Sequence, residues 1–319
     1  MEGSLINKIK GVLFGGAIGD ALGLGTEFIK KEDVQKHYPN GLHDYSQIVQ
    51  DYHRSRWQKG DWTDDTDMTL CIADSIIKDA DIIPLHIANE FYLWLKEGRA
   101  MGIGRTTYNV LSFPQYNLYP DRAAKMVWEM SRSKNAANGA LMRTPIIGLW
   151  RDNIDEYAEK VCKLTHYDPR CVGSCVVVSR LVHSLVYENE VIPLKELIEM
   201  GNKYDEQIQD FLLLAQSDSL DNLELDKEGE QGYTLKTMAA AIWCLYHCNS
   251  FEEGLLAIVN AGGDADTNAA VACSLLGAKF GYDAISKHYV DGLVRKNSLA
   301  DITGKLIKIL LPNGTDKTI

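Results

Sequence analysis

Residues 60–67 read Gly-Asp-Trp-Thr-Asp-Asp-Thr-Asp and run straight into the apolar stretch Met68, Leu70, Cys71, Ile72 and Ala73. A surface helix spreads Glu, Lys and Arg along its solvent face. Here part of an acidic cluster stands at the mouth of the protein interior. A carboxylate taken out of water must be paired, protonated or bound to a cation. Two readings follow. Thr63 or Asp64 is a helix N-cap, with its acidic neighbours favoured by the positive end of the helix dipole; or the turn holds a hard divalent cation such as Mg²⁺ or Mn²⁺. A second cluster weighs toward the cation. Gly262-Gly263-Asp264-Ala265-Asp266-Thr267 again sets Asp and Thr at the start of a small-residue apolar stretch, Asn268 to Gly277. Two such turns can enclose one or two metal ions from opposite sides.

The rest of the chain reads as helix. Residues 5–24 begin amphipathic and become the run Gly15-Gly16-Ala17-Ile18-Gly19-Asp20-Ala21-Leu22-Gly23. Glycine is a poor helix former, so this density predicts close helix–helix approach in a crowded centre. Glu27 follows in a loop from which it can point back to that centre. Residues 30–60 read as polar loop with a short helix. Further helices are expected at 66–79, 84–97, 153–165, 170–189, 193–217, 234–248, 251–260 and from the second acidic cluster to about 280. The glycine loop Gly98 to Thr107 opens a helix and offers backbone N–H groups to an anion, without matching a P-loop. Asn138-Gly139-Ala140-Leu141-Met142-Arg143 is a polar-to-apolar junction before Pro145, and His166 sits at a helix–helix turn beside Asp168. Residues 218–232, acidic and Gly-containing, read as exposed. No alternating strand pattern occurs. The expectation is an all-α protein, one domain over 1–319, with no tandem repeat.

Composition excludes some roles. The net charge of −11 over 319 residues argues against binding to a phosphate backbone, so no nucleic-acid partner is expected. The seven cysteines form no CxxC and no disulfide framework; Cys171/Cys175 and Cys244/Cys248 fall on single helix faces and read as buried thiols. No leader pattern and no apolar run of about 18 residues is read, so no membrane association is expected. A cytoplasmic location and a monomer are the expectations. Asn313-Gly314-Thr315 matches a glycosylation acceptor that means nothing in a reducing compartment.

Taken together, the Gly15–Gly23 run, Trp62-Thr63-Asp64-Asp65-Thr66, Asn138–Arg143, Thr165-His166-Tyr167-Asp168-Pro169 and Gly262–Thr267 resemble the ADP-ribosylglycohydrolases. The motifs stand in family order across nearly the whole chain. The resemblance implies an orthogonal multi-helix bundle with a binuclear centre of two Mg²⁺ (or Mn²⁺) in a cleft. It implies ligands from Thr63, Asp64 and Asp65 on one side and Asp264, Asp266 and Thr267 on the other. Substrate contacts would come from Gly102, Ile103, Gly104, Arg105 and Thr106, from Asn138, Gly139 and Met142, and from His166 near the ribose; Glu27 would act in catalysis. The implied partner is an ADP-ribosylated protein or an ADP-ribose derivative. The implied reaction is cleavage of the C1″ glycosidic bond, with arginine the default acceptor. Two departures stand out. Some members carry an Asp, proposed as general base, where Gly102 stands here, and Ala265 replaces a Thr or Ser between the two Asp of the second motif. Two rivals remain: another binuclear metallohydrolase such as a phosphatase, and a catalytically silent binder of ADP-ribose.

Overall fold

Glycine assembles the centre of the molecule. In the computed structural model, which describes residues 2–312, the first helix (Glu2–Gly23) runs antiparallel against the helix Ala265–Phe280. Gly11, Gly15, Gly19 and Gly23 fall four apart on one stripe. A Cβ on each would lie 2.2, 2.3, 2.2 and 2.4 Å from the carbonyl oxygens of Gly277, Cys273, Ala269 and Ala265. Every step of four along one helix is thus met by a step of four back along the other, and the two backbones touch. This pairing fixes the site, because it brings the C-terminal end of the first helix, with Asp20 and Glu27, to the start of the second, with Asp264 and Asp266.

Around this pair pack the helices Asp64–Asp79, Thr234–His247, Phe251–Val259 and Pro169–His183, together with the irregular 3₁₀ stretch Leu141–Leu149 that contains Pro145. Among the described residues no strand occurs; two isolated bridges, Ile29 with Gly263 and Ala137 with Tyr233, pin loops instead. The all-α class is therefore as expected. All seven cysteines are free and buried.

Three expectations are corrected. The helix read at 193–217 is two short helices, Leu194–Gly201 and Gln207–Leu214; Gly201 lets the chain turn there, since a Cβ on it would meet Ile208 at 2.3 Å. Residues 218–232 are not simply exposed: Leu220, Leu223 and Leu225 are buried, and Gln231 and Gly232 reach a cavity described below. One helix, Pro169–Glu188 including its π-helical last turn, is long and apolar enough to cross a membrane, yet 78% of its most apolar 18-residue window is buried within the protein, as a core helix requires. The Asn313-Gly314-Thr315 motif lies outside the described residues.

Candidate active site

The acidic turn at 60–67 divides its carboxylates between two jobs. Asp61 and Asp67 face Arg295, whose guanidinium donates to both at 2.7 Å and lies 4.1 Å from the centre of the Trp62 ring. Asp67 also accepts from the indoles of Trp62 (2.8 Å) and Trp94 (3.3 Å). These two carboxylates are structural. Asp64 and Asp65, at the start of the helix Asp64–Asp79, turn the other way and line a cavity of about 260 Å³. Thr63 caps that helix, its side chain accepting from the Asp65 amide, so the capping reading holds at Thr63 and leaves Asp64 and Asp65 facing the cavity.

Asp20 holds the turn from inside. It is fully buried; one carboxylate oxygen accepts from the Thr63 amide (2.9 Å), the other from the Thr66 amide (3.0 Å) and hydroxyl (2.6 Å). Sequence reasoning gave Asp20 no role. The available signal was a lone carboxylate inside a helix of small apolar residues, a position that demands partners.

On the opposite side, Gly262 and Gly263 (both φ 73°) make the turn into Asp264 and Asp266. Asn138 donates to Asp264 at 2.7 Å and to the Thr237 hydroxyl at 2.9 Å, and that hydroxyl donates to Asn268 at 2.7 Å. Glu27 closes the group: its carboxylate, Asp264 and Asp266 each present an oxygen within 4.8 Å of the others. Three features hold the Glu27 loop. Arg54, buried, donates to the carbonyls of Leu24 (2.9 Å), Gly25 (3.0 Å) and Glu27. The Phe28 amide donates to Gly263 at 2.6 Å, with Phe28 in the left-handed region (φ 56°). His53 Nε2 lies 2.6 Å from the Glu27 carboxylate, while Arg56 donates to His53 Nδ1 at 2.6 Å, so Nε2 carries the proton and donates to Glu27. Arg54 and His53 came from a segment legible only as polar loop.

The charge balance of this floor is unfavourable as it stands. Burial pushes Asp64, Asp65 and Asp266 well above the usual carboxylate range, and neighbouring carboxylates push them further. Burial and then Glu27 raise Asp264 to about 6, against the hydrogen bond from Asn138. One oxygen each of Asp65 and Asp266 is buried with no hydrogen-bond partner. Crowded carboxylates with unpartnered oxygens are the environment a divalent cation relieves, and an all-oxygen donor set suits Mg²⁺ or Mn²⁺.

The cavity walls come from Gly102, Gly104, Arg105, Thr106, Thr107, Asn138, Gly139, Met142, His166 and Gly232. Thr267 joins Asp264 and Asp266 on the floor. Ile103 does not line the cavity; it packs against the core. Gly102 has a geometric reason to be glycine. Its φ is +93°, and a Cβ there would lie 2.7 Å from a carboxylate oxygen of Asp64.

The model of the ADP-ribosylglycohydrolase family matches residues 1–314. The chain is 28% identical to the ADP-ribosyl-[dinitrogen reductase] glycohydrolase of Rhodospirillum rubrum, covering 92% of each chain. It is 26% identical to the ADP-ribosylarginine hydrolase Tri1 of Serratia proteamaculans, over 96% of this chain and 80% of the relative. A solved structure described as an ADP-ribosylglycohydrolase-related protein complex superimposes with a TM-score of 0.76 at 24% identity, covering 97% of this chain and 99% of that one, which shows the shared fold. With its all-helical frame, its acidic floor and a family match across nearly its whole length, this chain belongs to the ADP-ribosylglycohydrolase family.

Proposed function

We propose that this protein is a metal-dependent ADP-ribosylhydrolase that cleaves the C1″ glycosidic bond between ADP-ribose and a modified side chain, arginine by default. One observation carries the reading: carboxylates from three distant segments, Glu27, Asp64/Asp65 and Asp264/Asp266, meet at the floor of one cavity with polar walls. Asp64, Asp65, Asp264 and Asp266, with Thr63 and Thr267, would hold two Mg²⁺ or Mn²⁺ ions, whose chemistry is to polarise the ribose hydroxyls and a water. A cavity of about 260 Å³ is smaller than sites that enclose a whole drug-sized ligand, which suits entry of the distal ribose with the adenosine lying outward. The Gly102–Thr107 loop offers backbone N–H groups to the pyrophosphate. Asn138 and Gly139 flank the sugar, and the His166 ring stands beside Gly139 on the same wall. Glu27 exchanges the proton of the reaction: the C1″ bond to the acceptor breaks, the bond to water oxygen forms, and the carboxyl carries a proton between water and leaving group.

Both named relatives remove ADP-ribose, one from arginine by its name and one from dinitrogen reductase. The first of these names supports arginine over other acceptors. The packing of Gly102 against Asp64 supplies a reason for glycine there that is unrelated to loss of activity, which supports an enzyme over a silent binder.

The test is release of ADP-ribose from Arg-, Ser- and Thr-linked ADP-ribosyl peptides, with Mg²⁺ and with EDTA. Metal-dependent release from the arginine peptide alone is expected. Glu27→Gln should keep Mg²⁺ binding and lose at least about 100-fold in turnover, the scale of one general acid–base group. Undiminished turnover in that variant would move the proton transfer to another group.

A further inference from the structure

Arg143 is the most unusual charge in the molecule. Its side chain is wholly buried, yet no carboxylate faces it. The guanidinium lies 4.7 Å from the centre of the Phe91 ring and donates to the Gly139 carbonyl at 2.6 Å and to the Thr165 hydroxyl at 2.7 Å. Its Nε is left without a partner. Burying a guanidinium with no carboxylate to balance it is costly, so its place calls for a reason beyond packing.

The reason lies at the next atom. The Thr165 hydroxyl is 2.7 Å from His166 Nδ1. A guanidinium has no acceptor, so Thr165 receives from Arg143 and has one hydrogen left to give. Among the described residues Nδ1 is the acceptor that hydroxyl meets, and a protonated Nδ1 would strand that hydrogen in a buried place. His166 Nε2 is buried, has no protein partner, and lies on the ring edge against Gly139 at the cavity wall.

We infer that Arg143 and Thr165 are positioning residues that lock His166 as a neutral imidazole with its proton on Nε2, so that it presents a hydrogen-bond donor and never an acceptor to the ligand. The ligand atom opposite must then be an oxygen accepting a bond, on a phosphate or a ribose hydroxyl; this last step rests on the ADP-ribose reading given above. Burial and the Arg143 charge drive the His166 pKa down to about 3, which agrees with an imidazole that stays neutral. The same guanidinium fixes the Gly139 carbonyl, so one buried charge sets two walls of the cavity.

The experiment is long-range ¹H–¹⁵N correlation on protein labelled at its eight histidines, with His166→Gln identifying the His166 signals. The ligand-free parent should show a pyrrole-type Nε2 and a pyridine-type Nδ1 at His166, unchanged from pH 8 to pH 5. A pyrrole-type Nδ1, or a ring that protonates in that range, overturns the inference whatever the protein binds. Thr165→Val should let the two nitrogens exchange character and weaken ADP-ribose binding, read by calorimetry, about tenfold, the value of one hydrogen bond. Thr165→Ser should restore both. If Thr165→Val keeps the parent's tautomer and affinity, the relay has no role. If Thr165→Val does not fold, the parent spectrum and Thr165→Ser still decide. Absence of ADP-ribose binding in the parent would instead strike the proposed function and leave the tautomer result standing.

Discussion

The two acidic turns look alike in sequence and differ in how much of the support comes from side chains and how much from backbone. The turn at 60–67 has one backbone anchor, Gly60 (φ 85°), where a Cβ would lie 2.2 Å from the Gly292 carbonyl oxygen and whose own carbonyl accepts from the Val294 amide. Past Gly60 it is held by side chains, Asp20 from within and Arg295 with Trp62 and Trp94 from without. The turn at 262–267 is held chiefly by backbone, with Asn138 as its side-chain support. A Cβ on Gly262 would lie 2.4 Å from the Ile29 carbonyl oxygen, and one on Gly263 would lie 2.2 Å from that of Leu225. The Gly263 amide donates to the Ile29 carbonyl at 2.9 Å and the Gly263 carbonyl accepts from the Phe28 amide at 2.6 Å, which completes the clamp. The difference follows from neighbourhood. The second turn opens a helix that is buried on all sides and already touches the first helix backbone to backbone, so no space remains for bulky supports. The first turn opens a helix with a partly solvated flank, where long side chains reach it.

This contrast predicts where each turn breaks. Gly263→Ala should be the most damaging single change, because it forces an L side chain into the left-handed region and against a carbonyl. About 1–2 kcal/mol for the conformation and a further 1–3 kcal/mol for overpacking give a loss near 3 kcal/mol. For a chain of this size that is a fall in Tm of about 4–5 °C, measurable in a chelator-containing buffer. A parent-like Tm would show that the backbone clamp is soft.

Asp20→Asn should follow, at about 2 kcal/mol. An amide has one acceptor oxygen where the carboxylate has two, and its NH₂ would face the amides and hydroxyl that Asp20 now accepts from. Denaturant unfolding in EDTA reads the loss. Equal stability of Asp20→Asn and the parent would mean that Arg295 alone suffices to hold the first turn.

Much of this was legible in the residues. The helical class followed from periodicity, and the density of glycine in the Gly15–Gly23 run announced a close helix approach, though not the four-residue stripe from Gly11 that makes it. Asp64, Asp65, Asp264 and Asp266 were visible because carboxylates before apolar helices demand a partner. The supports were less visible for a physical reason. Arg54 and His53 act on Glu27 from a loop whose fold depends on long-range contacts, and Arg143 hides in a 3₁₀ stretch whose partners, Gly139 and Thr165, are set by tertiary packing. Ile103 shows the converse failure. A glycine-rich loop has no periodicity to tell the side facing the cavity from the side facing the core, and Ile103 turned to the core. The break at 202–206 was likewise silent, since nothing before Gly201 signals that the chain must fold back on Ile208.

The smallest expected effect on the metal-free fold is the most informative. Asp64→Ala removes a buried carboxylate that makes no hydrogen bond holding the turn, and burial with the negative charges of Asp20 and Glu27 already disfavours its ionised form. Stability in EDTA should therefore change by less than about 0.5 kcal/mol, or rise slightly, since a buried carboxylate without a cation is a liability. With Mg²⁺ added, the parent should gain Tm in proportion to the logarithm of its concentration, as a ligand of the native state does. Asp64→Ala should lose most of that gain. The pair of measurements separates the two jobs of the first turn: a variant that fails already in EDTA would make Asp64 structural, like Asp67, and would shift the proposed cation site to the Glu27, Asp264 and Asp266 side alone.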